Sequence, residues 1–325
     1  MTVPKKLPPL SSLLKSSEVE DPINIHVHRP LAYGFVWAIW RTKLTPNMVT
    51  LLSVITGICA GAMFLWGTAG AMIAGGILLW SAAILDGADG ILARAKKMQS
   101  QFGRAIDGWA DMVVAFVTVF PAGYHIWLQH HDVTHLRMMG PAVAMTSVHL
   151  SLYDYYKETY LRFTQAKGGE GEDYEAALDR VDEARAKGLI PYIAIKHVLL
   201  PYLRQQRRLI NWFDPHSKEL RERAKNDPEF AELYRKHNIG PMRLLTATSL
   251  APHSYLMAWC AMADQLVVYL WIRLVVMNVI FFVAVFWQRW ATQTMLAHTA
   301  KTPRFSPIPR KHDTRYPAMA RKQEV

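Results

Sequence analysis

Apolar residues along this chain gather into runs of roughly twenty, the length a helix needs to cross a bilayer, separated by short polar breaks. The runs predict spans at Met48 to Trp66, Ala69 to Ala93, Phe102 to Leu128, Met138 to Tyr160, Leu244 to Ala263 and Leu266 to Trp287. Asp154 interrupts the fourth, and Pro252 and His253 interrupt the fifth. The pattern therefore predicts an all-α integral membrane protein, a bundle of about six transmembrane helices. Arg29 to Thr42 sets Trp and Phe beside a basic end, which suits a helix lying in the headgroup layer.

The flanks complete a five-part division. Residues 1–43 form an N-terminal segment carrying that interfacial helix, and 1–28, with Pro8, Pro9 and a run of Ser, are expected to be poorly ordered. Residues 44–163 hold the first four spans, 164–243 a helical insert, 244–290 the last two spans and 291–325 a basic tail. The insert opens on an acidic Gly168 to Asp173 linker and contains an amphipathic Leu189 to Phe213 stretch, whose Arg204, Arg207 and Arg208 suit anionic lipid or a solvated face equally.

Charge fixes the orientation. The 325 residues carry a net charge of +11. The connections Gly67 to Thr68, Gln129 to His135 and Asp264 to Gln265 contain no Lys or Arg, whereas the opposite side collects Arg41, Lys43, Lys96, Lys97, the insert and the tail. Both termini are thus expected on the cytoplasmic side of the inner membrane. The same distribution accounts for the basic composition without nucleic acid, since no recognition motif gathers the charges. Met1 to Leu14 lacks the apolar core of a cleavable signal. Cys59 and Cys260 fall within spans and suit buried apolar roles.

One segment resists a purely apolar account. Asp86 to Asp111 reads D-x-x-D-G-x-x-A-R-x8-G-x-x-x-D-x-x-x-D, fixed at Asp86, Asp89, Gly90, Ala93, Arg94, Gly103, Asp107 and Asp111. Eight specified positions coincide by chance about once in 10^10 starting points, so the pattern is a signal. At about 100° per residue, Asp86, Asp89, Gly90, Ala93 and Arg94 share one arc of a helix, and Gly103, Asp107 and Asp111 form a stripe on the next. Facing helices then place four carboxylates together with one arginine. Magnesium or manganese is the natural counter-charge for such hard oxygen donors, and a diphosphate bridged by metal the natural ligand. Gly90 and Ala93 leave room for it on the same face.

These residues resemble the signature of the CDP-alcohol phosphotransferases (CDP-alcohol phosphatidyltransferase class I), and Leu44 to Thr50, LTPNMVT, resembles that family's entry into its first membrane helix. The resemblance covers about Arg29 to Trp127. It implies transfer of a phosphoryl-alcohol, most often phosphatidyl from CDP-diacylglycerol, to a small acceptor alcohol with release of CMP. It further implies that Asp86, Asp89 and Asp107 ligate metal, that Asp111 bridges metal or acts as base, and that Gly90 and Ala93 admit cytidine. Arg94 would meet phosphate, Pro46 and Asn47 would line the nucleotide site, Gly103 would belong to the same cofactor face, and the enzyme would be a homodimer. A phosphorylated acceptor would need further cations, for which Arg104, Lys157 and Arg162 are candidates.

Set against this, a divalent-cation transporter would place its carboxylates near the bilayer centre on broken helices. These aspartates sit instead beside a charged boundary, Arg94, Lys96 and Lys97. His125, His130, His131 and His135 cluster at the far end of a span and suit solvated or interfacial roles better than metal. Arg273 and Asn278, inside the last span, suit pairing within the bundle.

Overall fold

The computed structural model describes residues 6–14, 16–99, 101–165, 174–223 and 227–301, and those residues are helical with no strand among them. The Gly168 to Asp173 linker and the tail beyond Lys301 lie outside the described residues. The principal helices are α1 (Arg29–Ile39), α2 (Pro46–Trp66), α3 (Ala69–Ala95), α4 (Gln101–His130), α5 (Val133–Thr164), α6 (Leu200–Phe213), α7 (Pro228–Thr246), α8 (Leu250–Met262), α9 (Leu266–Trp271) and α10 (Met277–Lys301). A π turn, Ile272–Val276, joins α9 to α10.

Local chemistry sets the helix ends. Thr45 accepts from the Met48 amide and Pro46 occupies the first turn of α2, Thr68 accepts from the Ala71 amide at α3, and Asp132 accepts from Thr134 at α5. Gly67 closes α2 in the left-handed conformation, φ 72°, so a two-residue link folds α2 back along α3. Small residues then let backbones meet. A Cβ on Gly61 would stand 1.9 Å from the Val117 carbonyl oxygen of α4, and one on Gly76 would stand 2.5 Å from that of Ala258 on α8.

Four stretches are long and apolar enough to cross a membrane among the described residues: Pro46–Trp66, Ala69–Ala95, Ile106–His130 and Leu266–Thr299. Their outward faces expose Leu51, Ile55, Ile73, Phe116, Phe120, Val279 and Phe286, as lipid-facing helices must. The predicted Met138 to Tyr160 span lies inside α5, a single 32-residue helix whose Asp154, Lys157 and Glu158 make it less apolar. The predicted Leu244 to Ala263 span is not one helix. The backbone turns at Ala247, Thr248 and Ser249, whose amides bond back to Leu244, Leu245 and Thr246, and α8 restarts with Pro252, which lacks an amide, in its first turn. The last span runs beyond Trp287 to Lys301.

Two further expectations change. Of residues 1–28, expected to be poorly ordered, the described 6–14 and 16–28 pack: Leu13 is buried against Ala88, Ile91, Leu92 and Ala95 of α3, and Val19 is wholly buried with its carbonyl accepting from the Tyr153 hydroxyl at 2.7 Å. Leu10, Leu13 and Val19 supply apolar anchors that the surrounding Pro and Ser obscure. The insert also shares a core with the bundle, because Ile210, Leu220, Phe230 and Tyr234 join Tyr156, Tyr160 and Phe163 of α5 and Phe281 of α10 in one aromatic cluster. Helix α7 continues through the expected boundary at residue 243.

Candidate active site

Three helices converge on the aspartates. The second half of α3 carries Asp86 and Asp89, and the first half of α4 carries Asp107 and Asp111. One carboxylate oxygen from each of Asp86, Asp89 and Asp107 lies within 4.8 Å of the others. Asp86 is also within side-chain hydrogen-bonding reach of Asp111, so all four carboxylates belong to one group. The spacing-based arc and stripe are thus brought together.

The donor set suits a divalent cation. An ion bound 2.1–2.4 Å from each oxygen places two ligands at most about 4.2–4.8 Å apart, the span these oxygens occupy, and every donor is a hard carboxylate oxygen. Two unit charges at 4.8 Å repel by about 3.5 kcal/mol at an effective dielectric of about 20, so three such pairs demand compensation.

The surroundings supply part of it. Thr50, one turn into α2, donates its hydroxyl to Asp89 Oδ2, and the Pro46 carbonyl oxygen lies 3.2 Å from the same hydroxyl. Arg29 of α1 donates to Glu20 at 2.8 and 2.9 Å and to the Gly87 carbonyl at 3.4 Å, and its charge acts on Asp86. Arg94 donates through Nε to the Leu13 carbonyl. A Cβ on Gly90 would stand 3.4 Å from Arg94 Nη1, so those two residues share the face on which the spacing put them. Ala93 is half-buried beside them, and Gly103 lies in the first turn of α4. Pro46 is buried and Asn47 exposed at the start of α2, and Lys96 ties this corner to the end of α3 through the Leu44 and Thr42 carbonyls at 2.8 and 3.3 Å.

Sequence reasoning missed three contributors. Thr50 stood at the end of the LTPNMVT segment, and its distance from Asp89 in sequence concealed the contact. Arg29 opened the interfacial helix, and nothing local pointed it at Asp86. The Leu13 carbonyl carries no sequence signal at all.

Other candidates lie elsewhere. His125 is buried rather than solvated, with Nε2 3.2 Å from Asp264 at the end of α4 remote from the aspartates. The rings of His130 and His135 stand 5.2 Å apart, and His131 turns the chain with φ 49°. Arg207 pairs with Glu175 at 2.6 Å and Arg204 donates to the Tyr174 hydroxyl at 3.2 Å, bracing the insert on itself. Lys157 Nζ stands 5.2 Å from the centroid of the Tyr153 ring. The Arg104 side chain lies outside the described residues.

Comparison with known proteins places this geometry in context. A family model for CDP-alcohol phosphatidyltransferase matches residues 43–213, just over half of the chain, and includes Asp86, Asp89, Asp107 and Asp111. The bifunctional IPC transferase and DIPP synthase of Rubrobacter xylanophilus is 32% identical over 109 residues, 32% of this chain and 24% of that protein. Its counterpart in Aquifex aeolicus is 33% identical over 84 residues, 26% of this chain and 19% of that protein. The phosphatidylinositol phosphate synthase of Mycobacterium tuberculosis is 32% identical over 84 residues, covering 26% and 36% respectively. The similarity therefore spans little more than a third of any of these relatives at most.

Proposed function

The chain belongs to the CDP-alcohol phosphatidyltransferase family, and on that premise we propose that it is an integral membrane phosphotransferase of phospholipid biosynthesis. It moves phosphatidyl from CDP-diacylglycerol to an acceptor alcohol and releases CMP. The observation that carries this reading is the oxygen cluster of Asp86, Asp89 and Asp107 within 4.8 Å, set beside Arg94 in an intact signature. The three relatives whose names contain inositol phosphate or IPC support a phosphorylated polyol as acceptor.

Asp86, Asp89, Asp107 and Asp111 would hold magnesium or manganese, which when bound neutralises charge on the donor diphosphate and the departing CMP. The remaining work falls to the chain. Pro46, Asn47, Gly90 and Ala93 admit the cytidine group, with Gly103 opening space at the start of α4. Arg94 meets a phosphate oxygen, for which it exchanges the Leu13 carbonyl. Asp111 takes the acceptor hydroxyl proton onto a carboxylate oxygen as the hydroxyl oxygen forms its bond to the lipid-bearing phosphorus. The bond from that phosphorus to the bridging oxygen breaks, and CMP leaves with the electron pair. Thr50 fixes the rotamer of Asp89 throughout.

Topology follows from the charge pattern: both termini and the aspartate end face the cytoplasm, and the short basic-free connections face outward. The chain keeps five parts, with the insert docked on α5 and α10 and ending with α7 at Thr246 and the last helix running to Lys301, and the enzyme works as a homodimer. A transporter reading gains no support, because the aspartates sit on unbroken helices near Lys96 and Lys97. An acceptor panel with labelled CDP-diacylglycerol tests the substrate assignment. Inositol phosphate or a similar phosphorylated polyol should outcompete serine and glycerol, and preference for an uncharged alcohol would refute it.

A further inference from the structure

Away from the aspartates, the bundle holds a second polar cluster for which the reaction has no use. Arg273 is 5% exposed, His149 0% and His253 4%. Arg273 Nε donates to the Thr146 hydroxyl at 2.7 Å, and its guanidinium stands 5.9 Å from the Tyr269 ring centroid. His149 Nε2 lies 2.9 Å from Asn278 Oδ1, and its ring stacks on His253 at 5.8 Å and 20°. Arg273 is within electrostatic range of both imidazoles.

The hydrogen-bond accounting does not close. His149 Nδ1 and both ring nitrogens of His253 are buried without partners among the described residues, and no carboxylate there pairs with Arg273. A buried guanidinium without a counter-charge, beside three idle imidazole nitrogens, is a costly arrangement in a bundle at membrane depth. Arg273 also sits in the π turn Ile272–Val276, a backbone feature that recurs where a side chain must be re-aimed for function. A metal would suit two imidazoles, but the adjacent guanidinium repels it. An oxyanion of the phosphate class suits the group: its oxygens accept from the guanidinium fork and from an N–H of His253, and its own O–H donates to His149 Nδ1, because the one proton of that ring goes to Asn278 Oδ1.

The cluster shares no residue with the aspartate group and lies deeper in the bundle. Asp264, near the start of α9, is level with His125, and at about 1.5 Å per residue Arg273 lies about 13 Å along from it and Asp111 about 21 Å, an offset in depth of about 8 Å.

We propose that Arg273, His149 and His253 form a binding site for a small oxyanion of the phosphate class, distinct from the aspartate centre. This site does not depend on the phosphotransferase reading. Its ligand is either free phosphate or the phosphate head of an amphiphile.

The test uses the purified full chain in detergent, in EDTA and saturating CMP so that the aspartate site does not respond. Inorganic phosphate, against chloride at matched ionic strength, should raise the midpoint of thermal unfolding by about 2 °C or more at millimolar concentration. Arg273→Gln should abolish that shift. His253→Phe, which keeps a ring and removes both nitrogens, should fold and weaken the response several-fold, so the test survives if Arg273→Gln does not fold. Native mass spectrometry distinguishes the sources: a phospholipid retained by wild type and lost from the variants identifies an amphiphile's head, whereas a phosphate response without retained lipid identifies the free ion. The proposal is overturned if wild type shows neither, or if both variants keep the wild-type response. A His253→Phe protein that is merely more stable, with unchanged phosphate response, would assign the idle nitrogens to water and overturn it as well.

Discussion

Replacing Asp89 by Asn should stabilise the metal-free protein and abolish the gain that metal brings. Asn keeps an oxygen to accept from Thr50 and removes the charge that faces Asp86 and Asp107 within 4.8 Å. Two pairwise repulsions of about 3.5 kcal/mol at an effective dielectric of about 20 are thereby relieved, which solvent screening and partial neutralisation reduce to roughly 1–3 kcal/mol net. With about 2–4 °C per kcal/mol for a domain of 150–250 residues, the midpoint in EDTA should rise by several degrees. Wild type should instead gain about 3 kcal/mol at magnesium a hundredfold above its dissociation constant, and the variant almost none. Scanning fluorimetry in EDTA, magnesium and manganese reads both effects, with CMP release measured on the same samples. A variant less stable than wild type in EDTA that responds fully to magnesium would refute the idea that these carboxylates form a metal centre.

Gly90→Leu should bind metal and lose CDP-donor affinity at least tenfold, since its side chain would displace Arg94 from the shared face; unchanged donor binding by calorimetry would assign Gly90 to packing. Burial, partly offset by hydrogen bonds from Thr292 and Tyr156, raises the Asp214 carboxyl from 3.8 to about 6. Because the folded state holds this proton more tightly than the unfolded chain, the protein is favoured below about pH 4 and loses up to about 3 kcal/mol as pH rises through 6. Asp214→Asn should flatten the stability profile between pH 4 and 7, and an unaltered profile would contradict that assignment. Tyr234→Ala should cost about 3–5 kcal/mol, because Tyr234 is 2% exposed in the cluster joining the insert to α5 and α10. Loss below 1 kcal/mol in a denaturant titration would show the insert to be a detachable cover.

What the sequence made legible was whatever repeats along one helix. Asp86, Asp89, Gly90 and Arg94 are related by helical spacing alone, so their common face needed no tertiary information. Contacts made across long sequence separations left no such trace. Thr50 reaches Asp89 over 39 positions, and Arg94 reaches the Leu13 carbonyl over 81. The turn at Ala247 to Ser249 was hidden because the apolar run continues through it, and hydropathy averages over a backbone reversal. Residues 6–28 looked loose because Pro and Ser outnumber the few anchors, Leu13 and Val19, that bury completely enough to fix the segment.

If the aspartates are the phosphotransfer centre, the most direct measurement is CMP release from CDP-diacylglycerol by the purified chain, supplied with the acceptor panel, in magnesium and in EDTA, beside Asp107→Asn. Release should depend on acceptor in magnesium, stop in EDTA, and fall at least a hundredfold in a folded Asp107→Asn protein. Release that continues undiminished in excess EDTA, or at the wild-type rate in Asp107→Asn, would contradict a metal-dependent phosphotransfer centre at these aspartates.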